Sequence, residues 1–170
     1  MTVAVRRLGP GDAEAFRALR LFALTTAPAA FASSPEEDGA LSIETIRARL
    51  PAAGPNAVFG AFADTELVGI AGFVLNEKAK QRHKGLMWGV FVSPRWQGQG
   101  LGASLVRAVI AHAAGHARII QASVLMSNDG ARRLYRALGF APYGVERNAL
   151  CVDGVFHDEE LIALEFPAER

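Results

Sequence analysis

The chain reads as a mixed α/β fold, and three patterns predict it. Apolar runs of strand length alternate with stripes of helical period, in the order strand, helix, helix, three strands, helix, strand, helix, two strands. A glycine-rich turn, Gly98-Gln99-Gly100-Leu101-Gly102, joins an apolar run to a helical stripe in mid-chain. No apolar run approaches the ~18 residues that a membrane span requires. At 170 residues, one domain over 1–170 is expected. A chain of this length buries on the order of 70% of its unfolded surface, enough for a core without disulfides.

Each element has a local signature. Residues 2–8, TVAVRRL, form a strand that Gly9-Pro10-Gly11 ends. Asp12 is placed to N-cap a helix in which Ala15, Phe16, Leu19 and Phe22/Ala23 recur at helical spacing, and Pro28 limits its extension. Residues 27–40, APAAFASSPEEDGA, read as a long mixed loop, a kind of segment that is often functional in compact domains. A second helix starts at Ser42, with Leu41 and Ile46 spaced for a hydrophobic staple and Glu44 at the positive end of the dipole. Pro51 and Gly54-Pro55 close it. Residues 56–77 form a hairpin turning near Asp64-Thr65. Residues 85–92, GLMWGVFV, are a further strand in which Gly89 marks a bulge or a close approach of backbone or ligand. Beyond the glycine turn, Leu101, Leu105, Val106, Val109, Ile110 and Ala113 stripe a helix, and residues 117–126 read as a buried strand. The last helix spans 127–140, with Asn128 as its cap, Ala131, Leu134, Tyr135 and Leu138 on one face, and Gly139 at the C′ position. Two strands around Asp153-Gly154, residues 142–166, end the pattern.

Charge and cysteine content exclude some classes of partner. Formal net charge is +1, so no broad field steers the chain to nucleic acid or to an anionic membrane, and neither is expected as a partner. The single Cys151 forbids an internal disulfide and fits a reducing compartment. The first residues lack the apolar core of a signal peptide, so a cytoplasmic protein is expected. His112 and His116 stand four apart, but the intervening A-A-G lacks the glutamate of a zinc-binding H-E-x-x-H, and no metal is expected. Trp88 and Trp96 read as packing residues, because no basic stripe accompanies them.

The glycine turn is the chemically informative segment. A strand before it and a helix that leaves it place successive N–H groups at a positive helix end, an anion site suited to phosphate or pyrophosphate. Glycine lets the anion reach the backbone. A P-loop is excluded because no lysine follows the glycines. A dinucleotide site is the sharper rival, since Gly98, Gly100 and Ala103 satisfy G-x-G-x-x-[GA]. Against it, no Asp or Glu occurs between Trp96 and Asn128 to hold a ribose, and SPRWQ separates the strand from the first glycine.

The third candidate is the nucleotide end of coenzyme A, and here the sequence resembles a family. VFVSPRWQGQGLG resembles the acetyl-CoA motif of the GNAT superfamily of N-acetyltransferases, [RQ]-x-x-G-x-[GA], at Gln97, Gly100 and Gly102, with Gly98 as the additional glycine of its common form. NDGARRLYRALGF resembles the second signature of the superfamily at Asn128, Ala131, Leu134, Tyr135, Gly139 and Phe140. Gln97 stands where arginine is commoner, which removes one cation from the pyrophosphate and leaves more to the backbone N–H groups.

The resemblance implies a GNAT fold: a central mixed, mostly antiparallel sheet of six to seven strands, splayed at the acetyl-CoA site and flanked by about four helices. The splayed strands would be 86–92 and 119–125. The backbones of Val90 and Val92 would hold the pantetheine arm, with Gln97, Gly98, Gln99, Gly100, Leu101 and Gly102 on the pyrophosphate and Asn128 on the arm from the other side. The implied reaction is direct acyl transfer to an amine, with Tyr135 as proton donor to the leaving thiolate and a backbone N–H near Gly89 at the thioester oxygen. Glu77, His83 and Glu159 are candidate acceptors of the amine proton, and Arg132, Arg133 and Arg136 could reach the 3′-phosphate. The acceptor would meet the first helix, the 27–40 loop and the last two strands, with Phe31 as an apolar wall and Glu36, Glu37 and Asp38 facing a cationic amine. The "AF…SS" loop and Tyr143-Gly144-Val145-Glu146 resemble small bacterial members, which implies a small-molecule or amino-acid-like amine. A protein N-terminal or lysine acetyltransferase, a non-catalytic coenzyme-A-binding regulator and a homodimer are compatible with the same residues.

Overall fold

The computed structural model describes residues 2–167. Seven strands, β1 (Val3–Arg7), β2 (Ala57–Ala63), β3 (Glu66–Leu75), β4 (Lys84–Val92), β5 (Ile119–Leu125), β6 (Ala141–Val152) and β7 (Val155–Glu165), form one sheet in the order β1-β2-β3-β4-β5-β7-β6. All neighbours are antiparallel except β4 and β5. The helices are α1 (Ala13–Thr26), α2 (Pro35–Gly39), α3 (Ile43–Ala48), α4 (Leu101–Ala113) and α5 (Asp129–Ala137). No described helix is long and apolar enough to cross a membrane.

The turns follow from their residues. Asp153 and Gly154 both take positive φ (49° and 78°), the type I′ geometry that matches strand twist, and Val152 pairs with Val155 across them. Asp64 (φ 51°) opens the two-residue connection between Ala63 and Glu66. Ser42 caps α3 through the Thr45 N–H at 3.1 Å, and Leu41 and Ile46 join one core, as a staple requires.

Two expectations change. The 27–40 segment is not simply a loop, because it contains α2. Ser34 accepts from the Glu37 N–H at 3.1 Å, Glu37 accepts from the Ser34 N–H at 2.8 Å, and Pro35 occupies the first turn. This S-P-E-E capping box is legible in the sequence. Asp12 does not cap α1. Its carboxylate turns back to the Gly9 N–H at 2.9 Å and to Arg6 at 2.8 Å, and the Arg6 hydrogen bond holds it below the ordinary aspartate pKa.

The sheet separates two cores. Along β2, Val58 and Phe62 belong to the α1–α3 side, while Phe59, Ala61 and Ala63 belong to the α4–α5 side. On β4 the alternation is interrupted. Gly72 pairs with Trp88 and Ile70 with Phe91, so Gly89 and Val90 oppose the single Ala71. Gly89 takes φ 64°, and the extra residue shifts the phase by one, so that Val90 packs on the α4–α5 side and Phe91 on the other.

A methyl group at Gly72 would collide with the Trp88 indole, beside this bulge. Gly72→Ala is therefore expected to destabilise the fold by about 1–3 kcal/mol through overpacking, read from urea denaturation.

Candidate active site

The parallel pair β4/β5 is paired at Lys84–Ile119, Gly85–Ile120 and Leu86–Gln121 only. β4 then runs six residues further to Val92 and β5 four further to Leu125 without pairing. The gap is a cavity of about 560 Å³ whose wall includes Val90, Val92, Gly100, Asn128 and Tyr135.

At its mouth, Gly98 (φ 75°) and Gly100 (φ 80°) hold the turn in a conformation L side chains rarely adopt. A Cβ at either would meet no protein atom within 4 Å, so packing does not require glycine there; the conformation and the open space do. Gly100 is the N-cap of α4 and has no side chain to occupy the first N–H groups of the helix. Gly102 is in the helix, and a methyl there would touch Leu134 at 3.5 Å. Gln97 donates from Nε2 to the Val92 carbonyl at 2.9 Å, fastening the turn to the end of β4. Its side-chain amide and that carbonyl are thereby partnered with each other. Gln99 reaches the Arg95 carbonyl at 3.4 Å. Gln97, Gly98, Leu101 and Gly102 line the cavity, whereas Gln99 does not.

On the opposite wall, Asn128 caps α5 by accepting from the Ala131 N–H at 3.1 Å. The helix ends in a Schellman motif: the Phe140 N–H donates to the Tyr135 carbonyl (3.0 Å) and the Gly139 N–H to the Arg136 carbonyl (3.1 Å), with Gly139 at φ 100°. The associated side-chain contact is Tyr135 against Phe140, ring centroids 5.8 Å apart and edge-on. The tyrosine is thus set by the glycine and phenylalanine that follow it. It is buried, and desolvation pushes its pKa up to about 12, which keeps the hydroxyl protonated at neutral pH.

Glu160 fixes this helix to the sheet. It lies on β7 opposite Val124 of β5, is 5% exposed, and receives Arg132 at 3.1 and 3.3 Å and Arg136 at 2.8 Å. Two of the three arginines expected near a 3′-phosphate are therefore committed to a carboxylate, and Arg133 is exposed.

A second cavity of about 640 Å³ meets the first at Ala30, Met87, Trp88, Gly89, Ser123 and Glu159. Phe31 is in its wall, as expected, but the expected acidic face is absent. Glu37 belongs to the capping box, and Asp38 is buried against Arg20 at 2.8 Å. Of the three candidate proton acceptors, Glu159 alone lines the cavities; Glu77 and His83 are exposed elsewhere. Arg20 and Glu160 were missed in the sequence. Arg20 had a signal: it lies four residues after Phe16 and four before Leu24, a charge inside an apolar stripe. Among the described residues no group of three His, Cys, Asp or Glu could hold a metal; His112 instead contacts the Pro55 carbonyl at 2.7 Å.

A splayed parallel pair, a glycine turn at a helix mouth and a buried tyrosine on the facing helix define a coenzyme-binding acyltransferase fold. The family model described as acetyltransferase (GNAT) family matches residues 20–140, and the chain belongs to that family, whose members are N-acetyltransferases that use acetyl-CoA. Solved structures are similar over nearly the full length. A GNAT-family acetyltransferase from Streptococcus pneumoniae has 24% identity, covers 98% of this chain and 100% of its own, and has a TM-score of 0.86. The putative acetyltransferase yncA from Salmonella typhimurium, solved with its cofactor acetyl-CoA, has 21% identity, coverage of 100% and 97%, and a TM-score of 0.80. A putative phosphinothricin N-acetyltransferase has 16% identity, coverage of 98% and 100%, and a TM-score of 0.79. No curated protein matches the chain.

Glu160 makes acid stability testable. The Arg132 hydrogen bond, with Arg136 adding to it, holds its carboxyl below the usual glutamate range. A lowered folded pKa contributes stability that is complete above the ordinary value of about 4.3 and lost as pH falls through the lower one. Glu160→Gln is expected to lower the melting temperature at pH 7 by roughly 5–10 °C and to flatten the acid limb of melting temperature against pH.

Proposed function

We propose that the chain transfers an acetyl group from acetyl-CoA to the primary amine of a small, amino-acid-like molecule. The observation that carries this reading is the meeting of two cavities at Gly89: one between the parted strands with the glycine turn at its mouth, the other with mixed apolar and charged walls and a volume suited to a small molecule.

In this reading the backbones of Val90 and Val92 run along the pantetheine arm, Gln97 to Gly102 receive the pyrophosphate, and Asn128 meets the arm from the other wall. With the Gln97 amide tied to Val92, the anion is received mainly by backbone N–H groups at the start of α4. The coenzyme supplies a thioester carbonyl for the neutral amine to attack. A backbone N–H at the Gly89 bulge faces the oxygen on which charge builds. Tyr135, protonated at neutral pH and lining the gap, gives its proton to the departing sulfur. Glu159, at the junction of the cavities, takes the amine proton directly or through water.

Tyr135→Phe is expected to lower turnover by roughly 10²–10⁴ while acetyl-CoA binding by calorimetry is kept. Unchanged turnover with chemistry rate-limiting would remove the assignment. Gly100→Val is expected to abolish acetyl-CoA binding, because a β-branched residue cannot hold φ 80° without strain and fills the open turn. Native affinity in that variant would displace the coenzyme from this turn.

A further inference from the structure

Arg20 is a buried cation that the reaction described above does not use. Its side chain is 12% exposed, and Nε donates to Asp38 at 2.8 Å, itself 10% exposed. Nη1 is buried and has no hydrogen-bond partner among the described residues. The guanidinium carbon lies 4.9 Å from the Phe31 ring centroid and 5.7 Å from that of Trp88. Nη1 is close against the bulge, since a Cβ on Gly89 would come within 3.2 Å of it. A charged donor without an acceptor is expensive to bury, and this one is held by an ion pair and two aromatic faces at the wall of the second cavity.

We infer that Arg20 receives an acidic group of the acceptor, so that the substrate is an amine with a carboxylate or equivalent oxyanion a few bonds away, as in a free α-amino acid. Three observations converge on this. The cavity carries three charged side chains, Arg20, Arg49 and Glu159, two cationic and one anionic, a set complementary to a zwitterion. Glu159 lies where the cavities meet, and Arg20, in the wall of the second, sits against Gly89 of that junction, so an oxyanion on the arginine and an amine near the glutamate belong to one compact molecule. The guanidinium is pre-oriented by Asp38, so little side-chain freedom is lost when an oxyanion binds the edge that Asp38 leaves free. An amine without a nearby acid, such as a polyamine, a lysine side chain or a peptide N-terminus, leaves that donor unmet.

This inference rests on the transferase reading, and one experiment separates the two. Thiol release from acetyl-CoA is measured with the twenty α-amino acids and their sulfoximine and phosphinate analogues. Each is compared with its amide, methyl ester and decarboxylated amine, and acetyl-CoA binding is followed by calorimetry. The wild-type chain is expected to favour the free acid over its neutral partners by roughly 100-fold or more in kcat/KM. Because Arg20→Gln alone strands buried Asp38, the double variant Arg20→Gln/Asp38→Asn removes both charges. It is expected to bind acetyl-CoA normally and to lose the preference for the acid, through a higher KM for acids and little change for neutral amines. Equal use of acids and amides by the wild type, a preference that survives in the double variant, an equal fall in turnover on every acceptor, or no turnover of any panel member by protein that binds acetyl-CoA each overturns the inference and leaves the coenzyme site standing. Failure to bind acetyl-CoA overturns the transferase reading instead.

Discussion

The structure depends on one place where its sheet does not close. β4 and β5 separate after three paired residues, although both continue beyond that point. Strands that part inside a sheet leave backbone N–H and C=O groups without protein partners, and such groups cost about as much as a lost hydrogen bond unless something else meets them. The chain holds the gap open from both sides. The extra residue at Gly89 reorients the far half of β4, which stays paired to β3 beyond the bulge. β5 is held away by pairing along its whole length with β7, from Ile119–Glu165 to Leu125–Glu159. The two parted strand ends lead into α4 and α5, so both helices start at the cavity mouth, where their free N–H groups favour an anion.

The wall carrying Tyr135 is positioned by a different device. α5 is only nine residues long, too short to be stable by itself, and Tyr135 is its one buried residue. Asn128 closes its start, Gly139 and Phe140 close its end, and Glu160 binds Arg132 and Arg136 from the sheet. Leu134, beside the tyrosine, lies so near Gly102 that an added methyl there would touch it at 3.5 Å, so α5 runs close to the first turn of α4. A tyrosine held this way keeps one orientation toward the gap.

Much of this was legible in the sequence because it is encoded locally. The Asp153-Gly154 turn, the Ser42 cap, the Gly89 bulge and the Gly139 end each depend on a residue whose backbone preference is visible without neighbours. The seven strands and their helices followed from periodicity. The misses are of two kinds. α2 had a local signal, the Ser34–Glu37 box, which the apolar Ala-Phe-Ala preceding it obscured. Glu160 and Arg20 had their meaning in partners 24 to 28 and 18 residues away, and no short-range pattern reports which cation a distant carboxylate will find. For the same reason Glu36–Asp38 read as an exposed acidic face: burial of Asp38 is a property of α1 docking on α2.

The two buried ion pairs differ in a way that bears on selectivity between the cavities. Glu160 faces two arginines, and Arg132 also meets exposed Asp129 at 3.4 Å, so the cluster behind α5 is a four-charge network partly shared with solvent. Arg20 faces one aspartate, so the pair in the other cavity is neutral at long range. An isolated buried cation at the junction would attract any anion, including the phosphates of a polyanionic coenzyme, over distances of about a Debye length, ~8 Å at physiological salt. Asp38 cancels that field while leaving a guanidinium donor to act at hydrogen-bond range. The cavity can then distinguish a compact acid that enters and aligns with the Arg20 edge from a large anion drawn by charge alone. At the other end of the gap, the glycine turn leaves the first N–H groups of α4 without a side-chain cap.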